Sequence, residues 1–243
     1  MGLFDAKDKK NEPAVPEPDG PLDSMANALV GRLMNLGIEG VGPIDSAAEV
    51  VAKARKAKGE DTEKAINAIV NDHVKKAGVG GFVTGVGGIV TMPVSLPANV
   101  VEFYTLATRM VASIAELRGY DVSNPGARAA IMLTLVGSDA DDLISKAGLS
   151  AASMTGSGRL AKMAMSRMPQ TAAMMVNKAV AFRLLTTVGG KALSRVVRFV
   201  PVAGGLVGAG LDGFLMKRIA DHAKREFGPR TPQDRALEDA PAS

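Results

Sequence analysis

From Ala77 to Val101 the chain runs for twenty-five residues, AGVGGFVTGVGGIVTMPVSLPANVV, without a charge. Length alone admits a membrane span, which needs about 20 predominantly apolar residues. The residue types argue otherwise. Gly78, Gly80, Gly81, Gly85, Gly87 and Gly88 crowd the first half, and a glycine inside a helix costs about 1 kcal/mol relative to alanine. Pro93 and Pro97 each remove a backbone donor. The run therefore predicts a kinked or hairpin-like apolar segment, either buried in protein or set in lipid with its freed backbone groups satisfied by neighbours.

The chain on either side reads as helix. Leu22, Met25, Leu29, Leu33 and Leu36 recur at three- and four-residue steps and predict a first amphipathic helix. Ser46 and Glu49 form a capping-box pattern before a second helix that ends at Gly59. A third starts near Asp61, with Ile66, Ile69, Val70 and Val74 on one face. Residues 98–118 predict a hub helix, apolar around nearly its whole circumference, closed by Gly119 in a left-handed cap. Pro125 opens another helix. No alternating strand pattern is present, so the expected fold class is all-α, a single helical bundle over 21–227. The Pro-rich, polar stretches 1–20 and 228–243 predict disordered tails.

The hub helix carries one polar stripe, Glu102, Thr105, Arg109, Ser113 and Glu116, each three or four residues from the next and so on one side. Two readings stay open: a stripe facing water or satisfied by hydrogen bonds within the bundle, and a polar groove for a small ligand. Asp139, Asp141 and Asp142 follow Ser138 in the first turn of a further predicted helix. The helix dipole explains carboxylates there, and no histidine or further acid follows to complete a metal site, so no metal or other cofactor is expected.

Residues 143–211 contain no Asp or Glu but nine bases. Among them, Lys191, Arg195 and Arg198 share a helical face, and six methionines between Met154 and Met175 add adaptable apolar surface. A solvated basic face is one reading; a basic amphipathic surface that docks on anionic lipid or an acidic partner is the other. Each base held near an anionic membrane contributes about 1 kcal/mol, so three facing it together give weak, salt-sensitive attachment. Firmer residence would need apolar insertion, for which Phe82, Val86 and Ile89 in the Gly-rich run are the candidates. Nucleic acid is not expected as a partner, because the chain has no Trp, 4% aromatics and no base-stacking module.

The last element begins with a second charge-free run, FVPVAGGLVGAGL, and continues to Phe227 with Leu211, Leu215, Ile219, Ala223 and Phe227 as its expected apolar stripe. Gly205, Ala209 and Gly213 have the spacing that lets helices approach closely.

Residues 80–121, GGFVTGVGGIVTMPVSLPANVVEFYTLATRMVASIAELRGYD, resemble the central signature of the EcsC family of bacterial proteins, and residues 199–227 are similar to its closing motif. By that resemblance Gly81, Gly85, Pro93, Pro97, Arg109, Gly119, Tyr120, Asp121, Pro201, Gly204, Gly205 and Asp212 stand at signature positions. The family implies a helical protein linked to transport or secretion and brings no established catalytic residues. Enzyme motifs fail directly: Gly156-Ser157-Gly158 lacks the outer glycines of a nucleophile elbow, and Gly189-Gly190-Lys191 is followed by Ala192. His73 and His222 are the only histidines, and neither has a recognisable nucleophile or ligand set nearby in sequence.

The leading expectation is a non-enzymatic accessory or scaffold protein, cytoplasmic and peripheral at the inner face of the cell membrane. Its partner would be an anionic membrane surface or a membrane protein complex, and a homo-oligomer stays open. The alternative is a soluble helical protein with a ligand in the polar groove, or a cryptic hydrolase.

Overall fold

In the computed structural model the described residues are 21–79, 98–137 and 204–230, with 140, 158, 160, 162, 174–176 and 178–181. They are mostly helical, as the periodicity predicts. Helix α1 is Pro21–Met34 and runs directly into a π-helical turn, Asn35–Glu39. Then follow α2 (Ala47–Lys58), α3 (Thr62–Val79), α4 (Ala98–Leu117), α5 (Pro125–Val136) and α6 (Gly204–Glu226). Among the described residues there is no strand, only an isolated bridge between Val41 and Ile44. None of these helices is long and apolar enough to cross a membrane.

Local chemistry sets the helix ends. The Ser46 hydroxyl accepts from the Glu49 amide at 3.1 Å while the Glu49 carboxylate accepts from the Ser46 amide at 2.7 Å, which satisfies two otherwise orphaned donors at the start of α2. Gly59, at φ 68°, ends that helix, and Asp61 Oδ1 accepts from the Lys64 amide at 3.0 Å to begin α3. Asn124 caps α5 with Pro125 just inside it. Gly119, at φ 87°, closes α4 in the left-handed region.

Helix α4 is the hub. It contacts α1, the π-helical turn, α2, α3, α5 and α6, and Thr105 through Ala115 are all buried. Helix α5 is enclosed as well, with Ala129 through Leu135 buried on every side. The expected first helix does not stay regular to Leu36. A Cβ on Gly37 would lie 2.7 Å from Thr108 Cβ and 3.1 Å from the Thr105 carbonyl oxygen, so the chain passes against the α4 backbone there and widens into a π turn.

Two further expectations need correction. The buried positions of α6 are Met216, Ala220, Ala223 and then Phe227, whereas Leu215 is 38% exposed and Ile219 half-buried. Ala223 and Phe227 are buried as expected, but in the preceding turns the buried position moves on by one residue, from Leu215 to Met216 and from Ile219 to Ala220. The reason is α3: a Cβ on Gly213 would lie 3.6 Å from both Gly78 Cα and the Val74 carbonyl oxygen, so the small residues, not the leucines, sit at the closest approach. The C-terminal tail was expected from 228, but the packed body continues to Arg230. Tyr120 donates its hydroxyl hydrogen to the Gly228 carbonyl at 3.1 Å, its ring meets Phe227 edge-to-face at 5.3 Å, and Arg230 both covers that ring at 5.4 Å and donates to the Gly119 carbonyl at 2.8 Å.

Candidate functional site

The polar stripe of α4 turns inward. Thr105, Arg109 and Ser113 are buried against the rest of the bundle, and Glu102 and Glu116 at its two ends are half-buried. The hydroxyls are already engaged: Thr105 donates to the Val101 carbonyl at 2.8 Å, and Ser113 donates to the Ala47 carbonyl at 3.3 Å, tying α4 to the start of α2. Arg109, 5% exposed, donates from Nη2 to the Leu36 carbonyl at 3.3 Å, an oxygen that the π turn aims at it. Its Nε has no partner, and among the described residues no carboxylate closes an ion pair with it. Burial works against its charge and lowers its pKa, which Asp45 and Asp72 oppose from a distance; a guanidinium remains charged regardless.

His73 on α3 joins this buried polar centre at 1% exposure. Its Nδ1 lies 2.8 Å from the Ile69 carbonyl, an oxygen that can only accept, so Nδ1 is the protonated nitrogen and Nε2 offers a lone pair. Nε2 has no partner. Burial is the main reason that the imidazole pKa falls from 6.5 to about 4; the Ile69 bond and Asp72 oppose it, and Lys76 and Arg109 add to it. Glu116 and Glu102 have carboxyl pKa values raised by burial, offset in Glu116 by Arg55. Chemically the centre offers one open donor on Arg109 and one open acceptor on a neutral imidazole. Among the described residues no hydroxyl donates to either histidine, so no nucleophile and base are paired.

A second feature lies between α4, α5 and α6, where a groove of about 410 Å³ opens to the surface. Its wall is largely aromatic and aliphatic, from Phe103, Tyr104, Leu135, Val136, Leu215 and Ile219, with Thr134 and Gly137 between them and Phe103 and Tyr104 in edge-to-face contact at 5.4 Å. Its basic lining among the described residues comes from α6, from Arg218 and Arg225 with His222 between them, and no described Asp or Glu lines it. His222 is occupied: Nδ1 lies 3.3 Å from the Thr134 carbonyl and Nε2 lies 3.6 Å from the buried Glu226. Glu226 also accepts from the Leu160 amide at 3.2 Å. Beside the groove Phe214 is 57% exposed, with Arg218 over its ring at 6.0 Å.

The sequence-predicted residues divide accordingly. Thr105, Arg109 and Ser113 are buried along one side of α4, and the charge of Arg109 reaches His73, which the spacing had left aside. Gly119 and Tyr120 form the lock that ends α4 and holds 227–230, whereas Asp121 accepts from the Ser123 amide at 2.8 Å. Gly204 and Gly205 begin α6, and Asp212 is half-buried with its carboxyl pKa raised by burial. Gly81, Phe82, Gly85, Val86, Ile89, Pro93, Pro97, Lys191, Arg195, Arg198, Pro201 and the acids Asp139, Asp141 and Asp142 lie outside the described residues. The groove itself was missed. Its one sequence signal was Arg218, His222 and Arg225 at steps of four and three, the spacing of a single helical face.

Residues 38–231 match the EcsC protein family. No curated protein and no solved structure matches the chain.

Proposed function

As the chain belongs to the EcsC family, we propose that it acts without catalysis of its own, as an accessory or scaffold protein held peripherally on the cytoplasmic face of the membrane, at anionic lipid or a membrane protein complex there. The observation that carries this reading is the outer face of α6, where exposed Phe214 and Leu215 sit among exposed Lys217, Arg218 and Arg225. An aromatic and a leucine left in water beside cations suit the boundary between headgroups and acyl chains. Lys191, Arg195 and Arg198, with Phe82, Val86 and Ile89, lie outside the described residues and enter this proposal from the sequence alone.

Magnitudes set its strength. Three bases near an anionic surface contribute about 1 kcal/mol each, and removing the exposed parts of two large apolar side chains from water adds about 3 kcal/mol. Together that is a dissociation constant of roughly 40 µM, reversible and half electrostatic. The test is flotation of the full chain with phosphatidylglycerol-containing vesicles and with purely phosphatidylcholine vesicles, in low and high salt. Binding to the anionic vesicles that weakens on the order of a hundredfold in high salt is expected, together with loss in Phe214→Ser/Leu215→Ser. Failure to float with anionic vesicles at low salt would refute the proposal.

A further inference from the structure

We propose that the groove between α4, α5 and α6 receives one acyl chain of a single anionic phospholipid, whose phosphate is held at the rim by Arg218 and Arg225. The inference rests on the membrane reading, since both use α6, but it asks for something a docking face does not: a one-to-one site with depth.

The segregation of the lining points to an amphiphile. Arg218 and Arg225 lie on one helix, the facing wall from α4 and α5 is mainly aliphatic and aromatic with Thr134 and the Tyr104 phenol as its polar groups, and among the described residues no acid lines the space. A volume of about 410 Å³ lies within the roughly 300–1,000 Å³ of small-molecule sites. The pairing of the α6 cations then singles out the arginines. Lys217 has Asp221 as its partner at 3.4 Å, Lys224 donates to Asn67 at 2.7 Å, and His222 is held by Thr134 and Glu226. Among the described residues neither Arg218 nor Arg225 closes an ion pair, although both are at the groove. Guanidinium suits this task, because its planar fork matches two phosphate oxygens at once. A neutral or cationic head would leave both charges uncompensated, and a headgroup without a chain would leave the aromatic wall unused.

The test is calorimetric titration of the full chain with monomeric lysophosphatidylglycerol, kept below micelle formation, beside lysophosphatidylcholine, glycerol phosphate and inorganic phosphate. The expected result is one-to-one binding of lysophosphatidylglycerol, at least tenfold tighter than any of the other three. It should weaken at least tenfold in Arg218→Glu/Arg225→Glu and in Ile219→Trp, a half-buried position where the larger ring fills the groove; circular dichroism confirms that each variant is folded. Equal binding of the choline lipid overturns the arginine clamp, equal binding of glycerol phosphate overturns the acyl site, and absence of lysophosphatidylglycerol binding overturns both. Flotation separates this from the docking reading: Ile219→Trp should still float with anionic vesicles while losing the lysolipid. A wild-type chain that binds the lysolipid but does not float leaves the groove standing and removes the docking face.

Discussion

Acidification should destabilise this protein through His73 before it reaches the ordinary carboxylate range. The imidazole is 1% exposed and its pKa is lowered by burial from 6.5 to about 4. Between those values the unfolded chain holds a proton on this residue that the folded chain does not, so stability is full above about pH 6.5 and falls as the pH drops toward 4. The whole difference corresponds to about 3 kcal/mol, of which about 2 kcal/mol is lost by pH 5, a large share of the 5–15 kcal/mol that holds a typical domain together. Other groups act near the lower end of this range. Asp45, Glu49, Asp61 and Asp121 are held below the usual carboxylate range by hydrogen bonds from Lys53, Ser46, Lys64 and Ser123, and their contribution is lost only at still lower pH. Glu102, Glu116 and Asp212, raised by burial, work the opposite way. Urea unfolding followed by helical circular dichroism, in steps from pH 7.5 to 4.5, on the wild type and on His73→Leu, isolates the histidine as the difference in slope. With only two histidines in the chain, a proton NMR titration reads His73 directly. Parallel slopes in the two proteins, or a titration of His73 near 6.5, would refute the reasoning.

Two substitutions test the packing around the same centre. Gly37→Ala should cost about 1–3 kcal/mol in chemical unfolding, because its Cβ would meet Thr108 Cβ at 2.7 Å and Thr108 is held by its bond to the Tyr104 carbonyl. Gly31→Ala, with nothing within 4 Å, should instead stabilise by about 0.5–1 kcal/mol; equal effects would contradict the close approach of the π turn. Arg109→Met should raise the urea midpoint, worth about 1–3 kcal/mol, since an apolar chain of similar length removes a buried charge that has one long hydrogen bond. A loss of more than 1 kcal/mol would show that the guanidinium is better satisfied than its Leu36 contact implies.

The helix ends were legible in the residues because their causes lie within one turn. Ser46 and Glu49 need only each other, Gly59 and Gly119 need only their own freedom at positive φ, and Pro125 needs only its own ring. The all-α class and the identity of the hub followed in the same way, from apolar residues recurring around 98–118. His73 was harder to read: its neighbours in sequence are Asp72 and Val74, and nothing local says that α4 and α6 will close over α3.

What the sequence by itself determined is therefore where helices start and stop, which of them is most enclosed, and which faces carry charge. Tertiary structure decided where those faces point. A hub helix that is apolar nearly all round can turn its polar stripe to water or to protein, and the choice fell to the π turn, whose Gly37 brings Leu36 within reach of Arg109. Helix α6 can bury the face of Leu215 and Ile219 or that of Met216 and Ala220, and the close approach of Gly213 to Gly78 and Val74 selected the second, leaving Phe214, Leu215 and two arginines outside beside a groove. Periodicity ranks faces by hydrophobicity, but the closest backbone approach, set by residues from distant parts of the chain, fixes the rotation.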